Sequence, residues 1–120
     1  MVKVLPGSDG NLLGIQVSEK LTARDYEEVM VPQLVGRIQQ YGKARFLCYM
    51  DETFAGMELG AMLDDAKFFF KYKNDLERMA VVGAVKWIEV MTKLFSKFIE
   101  GEMQTFASEQ LAAAWEWIKA

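Results

Sequence analysis

Apolar and polar positions alternate through "MVKVL" at the start of the chain and again through "LLGIQVS", with Pro6, Gly7 and Gly10 between them. This pattern predicts two extended strands joined by a turn, an antiparallel hairpin. Thr22 then stands where a helix N-cap belongs, with Asp25 three residues on, and both side chains can accept amide protons left unpaired in a first turn. The spacing predicts a helix from Ala23 to about Tyr41, stopped by Gly42. Pro32 falls well inside it, where its ring opposes the carbonyl of Glu28 and no N–H is donated, so a kink is expected there. A bent helix draped over a twisted sheet accounts for that kink more simply than a functional hinge does.

"RFLCYM" is apolar without alternation, as a central parallel strand covered on both faces must be. "MELGAMLDDAKFFFKY" follows with helical spacing, "NDL" breaks it, and "RMAVVGA" has the same buried-strand character. A third helix is expected from about Lys86, then a short strand at "MQTFA", then a last helix capped by Ser108. The order becomes strand, strand, helix, strand, helix, strand, helix, strand, helix. Such alternation predicts a single α/β domain, a mixed but mainly parallel sheet of about five strands with about four helices packed on it. The first strand is antiparallel, at or near an edge.

Two stretches carry more apolar surface than a simple layer requires. From Lys86 to Glu100, Trp87, Ile88, Val90, Met91, Leu94, Phe95, Phe98 and Ile99 gather on about half the helix circumference, while Lys86, Glu89, Thr92, Lys93, Ser96, Lys97 and Glu100 take the rest. A helix resting on a sheet needs an apolar arc of about 100°. The surplus is free to meet neighbouring helices, a second copy of the chain, or a lipid or other apolar ligand. In "AKFFFKYK", Phe68, Phe69 and Phe70 cannot all point one way, so at least one faces a groove or a partner. Lys67, Lys71 and Lys73 interleave with these rings, which suits an anionic headgroup, or simply lysine stems lying along aromatic faces with their amines in water. Trp115 and Trp117, two positions apart, face different ways, and at least one should lock the last helix to the core.

Composition narrows the chemistry. A chain of 120 residues can bury roughly two thirds of its unfolded surface in one core. Its 17 acidic and 14 basic side chains leave a net charge of -3, which speaks against nucleic acid as a partner. No leader-like start is present, and no apolar run approaches the roughly 18 residues of a transmembrane segment, so a cytoplasmic protein is expected. The single cysteine, Cys48, forbids an internal disulfide and fits a reducing compartment. Histidine is absent, which removes the commonest proton shuttle and metal ligand, so no metal, no cofactor and no enzyme is expected. Neither GxxxxGK[ST] nor GxGxxG occurs. Asp64 and Asp65 are adjacent and diverge by about 100° on a helix, so they form no clamp, and an ion pair between Asp65 and a base such as Arg78 is expected. Asp51 and Glu52 leave the carboxyl end of a central strand, where open parallel sheets bind ligands. They cap the next turn or stay solvated, or else take part in binding, and their use as an enzymatic base is the least favoured reading.

Taken together, "LTARDYEEVMVPQL", "GKARFLCYM", "DDAKFFFKYKNDLERMAVVGAVKWIE" and "TFASEQLAAAWEWI" resemble the bacterial SpoIIAA-like proteins, which are similar in fold to the STAS domains of anti-sigma factor antagonists and sulfate transporters. The most specific pieces are Tyr26 with Pro32, Asp65 before the aromatic run, "ERMAVVG" before Trp87, and Phe106 with the closing alanines and tryptophans. The resemblance covers nearly the whole chain and implies the same mixed sheet. STAS antagonists bind a partner kinase and are switched by phosphorylation of a serine after a central strand, in a pattern close to D-S-[ST]-G. Here that segment reads "MDETFAGMELG", without serine, and Thr53 before Gly56 is the one candidate phosphoacceptor. Lipid carriers of the CRAL-TRIO type, which the fold resembles distantly, hold apolar ligands.

These readings converge on a non-catalytic, STAS-like protein-binding or regulatory module. The expected contact loop is Asp51, Glu52, Thr53, Phe54 and Gly56, with Gly83, Ala84 and Val85 beside it. The alternative is a carrier or sensor of a small apolar or lipid-like ligand, held by Phe68, Phe69, Phe70, Trp87, Met91 and Phe95, a surface that could equally form a homodimer.

Overall fold

Continuous apolar runs fold where both faces of a strand are covered, and the runs at 46–50 and 79–82 occupy that position in the computed structural model, which describes residues 1–83 and 85–120. The elements in order are β1 (Val2–Val4), β2 (Leu12–Val17), β3 (Lys20–Leu21), α1 (Ala23–Asp25), a π turn (Tyr26–Met30), α2 (Val31–Tyr41), β4 (Ala44–Met50), β5 (Gly56–Met57), α3 (Leu59–Tyr72), β6 (Leu76–Val82), α4 (Lys86–Phe95), β7 (Glu102–Phe106) and α5 (Leu111–Lys119). The main sheet has the order β1-β2-β4-β6-β7. β1 runs antiparallel to β2, Val2 opposite Val17, and the other pairs are parallel, with Leu47 opposite Ala80 at the centre. The expected hairpin, the edge position of β1 and the parallel core are all present.

One pairing has no counterpart in the sequence pattern. β3 and β5 form a separate two-residue parallel ladder, Lys20 opposite Gly56 and Leu21 opposite Met57. Runs that short carry no readable alternation. The ladder ties the segment after β2 to the loop after β4.

The helix from Ala23 opens as expected: Thr22 Oγ1 accepts from the Asp25 amide at 3.0 Å, and Asp25 Oδ2 accepts from the Thr22 amide at 3.3 Å. It closes at Gly42, whose N–H donates to the Ile38 carbonyl at 2.8 Å with a φ of 84°. Between them, the irregularity expected at Pro32 takes the form of a π turn just ahead of it, Val31 donating to the Tyr26 carbonyl. The wider turn absorbs the gap in the hydrogen-bond ladder that a residue without N–H imposes. At the last helix the cap differs from expectation. Gln110 reaches back so that its Oε1 accepts from the Ala107 amide at 2.9 Å, and Ser108 merely begins a short 3-10 turn, Ser108–Gln110.

The two faces of the sheet are covered unequally. α5 alone seals one, where Leu47, Ala80, Val82 and Phe106 pack against Ala114 and Ile118. Trp115 lies across β2 so closely that a Cβ on Gly14 would sit 2.5 Å from its ring, so only glycine fits there. Arg45 Nη1 donates to the Ile118 carbonyl at 2.9 Å and Arg78 Nη1 to the Trp117 carbonyl at 2.6 Å. Two strand arginines thus satisfy the carbonyls that the end of a helix leaves unpaired. Trp117 also stacks near Phe106, with ring centroids 5.9 Å apart, so both closing tryptophans pin α5 down. The opposite face carries the π turn, α2, α3 and α4 on Leu13, Ile15, Phe46, Met50 and Val81.

Candidate functional site

The loop after β4 is held from within. Asp51 Oδ2 accepts from Gln16 Nε2 at 2.8 Å and from the Ser18 hydroxyl, while Oδ1 accepts from the Thr53 amide at 2.9 Å and the Thr53 hydroxyl at 2.7 Å. The hydrogen bonds from Ser18, Thr53 and Gln16 hold its carboxyl well below the usual carboxylate range. A carboxylate stabilised that way is a poor general base. Thr53 Oγ1 in turn accepts from the Glu19 amide at 3.0 Å, so its hydroxyl is used twice. Glu52 and Thr53 are exposed, and Phe54 and Gly56 are half-buried, Gly56 within the β3–β5 ladder. Gly83 lies beside this loop, donating to the Phe106 carbonyl at 2.9 Å. Its φ is 76°, and a Cβ there would come within 2.4 Å of the Met50 carbonyl oxygen, so both conformation and space demand glycine. Val85 is exposed at the start of α4, and Ala84 lies outside the described residues.

On the α2–α4 side of the sheet the packing is incomplete. A partly open cavity of about 200 Å³ lies between Phe46, Cys48, Met79 and Val81 on the strands and α3 and α4 above them. Phe68, Phe69, Trp87, Met91 and Phe95 all line it. Phe70 does not: it is turned outward and 64% exposed, so it is the phenylalanine that the triple run could not bury. Phe69 and Phe95 bridge α3 and α4, with centroids 4.8 Å apart.

α4 accounts for the cavity. Ile88, Thr92 and Phe95 recur at helical spacing on its inner face and line the space. Its single buried residue is Thr92, which the amphipathic pattern places on the polar side. Burial is tolerated because the hydroxyl donates to the Ile88 carbonyl one turn back, at 2.8 Å. Of the eight positions in the expected apolar arc, Trp87, Ile88, Met91 and Phe95 line the cavity, while Val90 and Leu94 on α4, and Phe98 in the 3-10 turn Ser96–Phe98 that ends the helix earlier than expected, remain 49–58% exposed.

Two features of this site are absent from the sequence reading. Methionines converge on it: of eight in the chain, all but Met1 line the cavity, namely Met30, Met50, Met57, Met62, Met79, Met91 and Met103. They come from separate elements, so no local pattern reveals them. The second feature is polar. Asp65 pairs with Tyr26, whose hydroxyl donates to Oδ1 at 2.6 Å. The expected ion pair between Asp65 and Arg78 does not form, because Arg78 points to the opposite face of the sheet, near Trp117 and Glu102. Burial pushes the Asp65 carboxyl up, opposed by the Tyr26 hydrogen bond. Burial and then Asp65 raise Tyr26 in turn, and the same two causes push the neighbouring Cys48 thiol up to about 12. A thiol held protonated is unreactive.

Among the described residues no cluster of three metal-ligating side chains occurs, and no helix is long and apolar enough to cross a membrane.

A family model described as SpoIIAA-like matches residues 12–119. Among solved structures, the chain is similar to an uncharacterized protein of the DUF3478 family with a SpoIIAA-like fold from Shewanella loihica PV-4. The two are 26% identical with a TM-score of 0.72, and the match covers 98% of this chain and 92% of that one. No curated protein matches.

Proposed function

The chain belongs to the SpoIIAA-like family, and from that premise we propose that it is a non-catalytic binding module of the bacterial cytoplasm whose cavity holds a small apolar molecule. One observation carries this reading: seven methionines from separate elements, together with four of the rings the sequence singled out on α3 and α4, surround a single cavity. Methionine is flexible and polarizable, and it suits surfaces that must fit more than one apolar shape. An apolar void of about 150 Å³ is known to stay dry and to take up a benzene-sized guest, and this one is larger. Native mass spectrometry of the protein as purified from cells tests the reading. A retained apolar adduct that disappears in a cavity-filling Cys48→Phe variant is expected. A bare mass under gentle conditions, with no uptake of added toluene, excludes it.

A second reading, contact with a protein partner at the carboxyl end of the sheet, is favoured by the way Asp51 and the β3–β5 ladder hold the exposed Glu52 in place. On this reading a phosphoryl group on Thr53 would break its bonds to Asp51 and Glu19 and so loosen the loop. A partner captured by the wild type should be lost with Glu52→Lys, a change that leaves the Asp51 network intact. Equal capture by both proteins would dismiss the loop.

A further inference from the structure

The cavity wall contains one carboxylate among the described residues, Asp65. Its Oδ1 is taken by Tyr26, while Oδ2 receives no donor from the described residues. Among the described residues no lysine or arginine pairs with it either. Arg45 and Arg78 turn to α5, and Lys67 is exposed, close to Glu27. The other ionisable groups near the pair are Asp64 and Cys48. Asp65 is half-buried and lines the cavity beside Tyr26. An apolar pocket lined by a carboxylate with no cationic partner among the described residues is poorly matched to a plain hydrocarbon, because desolvating such a group without a partner is costly.

Resting on the cavity reading above, we propose that the occupant is an apolar molecule with a protonated amine head, whose N–H groups donate to Asp65 Oδ2 while Tyr26 fixes Oδ1. An ammonium supplies both the missing donor and the missing counter-charge. A carboxylate head would bring a like charge against Asp65 and bind only with an added proton. The space admits about one ring or a short chain beside the head, judged against the benzene-sized guest of a slightly smaller void.

Toluene, benzyl alcohol, benzylamine and benzoate share one ring and differ in the head, so titrating each into the protein separates the two levels of the argument. Benzylamine is expected to bind about tenfold or more tighter than benzyl alcohol, and benzoate weakest. In Asp65→Asn, benzylamine should fall to the affinity of benzyl alcohol while toluene is unchanged. Toluene binding without any preference for the amine would overturn this inference and leave the cavity reading standing. No binding by any of the four would overturn both. Should Asp65→Asn fail to fold, the Asp65 side-chain carboxyl 13C resonance of the wild type decides: benzylamine must move its titration to lower pH, and an unmoved midpoint refutes the amine.

Discussion

Asp51 accepts hydrogen bonds from Gln16, Ser18 and Thr53, and these favour its ionised form. Because the folded carboxyl lies below its ordinary value of 3.8, the folded chain binds a proton here less readily than the unfolded one. Its contribution to stability is therefore complete above about pH 4 and is lost as acid titrates the folded group. Asp51→Asn keeps the shape and removes the charge. It should cost about 1 kcal/mol at pH 7, a modest figure because the loop is partly exposed to water. Urea unfolding of both proteins at pH 7 and pH 3 checks this: the gap must narrow in acid, and a gap independent of pH would show that the charge contributes nothing. Tyr26 and Asp65 show the opposite condition, polar groups whose charged forms burial disfavours.

Among the elements, α4 has the least settled packing. Its inner face meets the cavity, and Val90 and Leu94, with Phe98 just beyond its end, face outward with about half their surface in contact with water. If that outer face pairs with a second copy, light scattering after size exclusion will report a dimer, and Leu94→Lys will convert it to a monomer. A monomer at high protein concentration would assign the surplus apolar surface to something other than self-association. The π turn is an element-scale compromise of another kind. It lets one helix pass Pro32 while its tyrosine still reaches Asp65 on α3.

At the scale of the whole molecule, what could be read in advance was whatever depends on neighbours in sequence. The uninterrupted runs in β4 and β6 identified interior parallel strands because burial on both faces leaves no room for polar alternation. Thr22 and Asp25 marked a helix start because capping acts over three residues. The phenylalanine run announced that one ring must stay outside, and Phe70 does. What depends on distant pairs was hidden. Gly14 and Trp115, Tyr26 and Asp65, and the seven converging methionines become neighbours only once the chain has folded, and none leaves a periodic trace. Arg78 shows the cost: charge alone suggested Asp65 as its partner, whereas strand alternation turns Arg78 to the α5 side of the sheet, away from Asp65 on α3.

That division of the sheet has a mechanical corollary. The side sealed by α5 is already close-packed, so compression has little to remove there. The side under α4 holds a partly open cavity, and hydrostatic pressure favours whichever state eliminates the unfilled part of it. Squeezed, this protein sheds that volume by coming apart, and on the reading proposed above a bound guest would remove the same volume without unfolding.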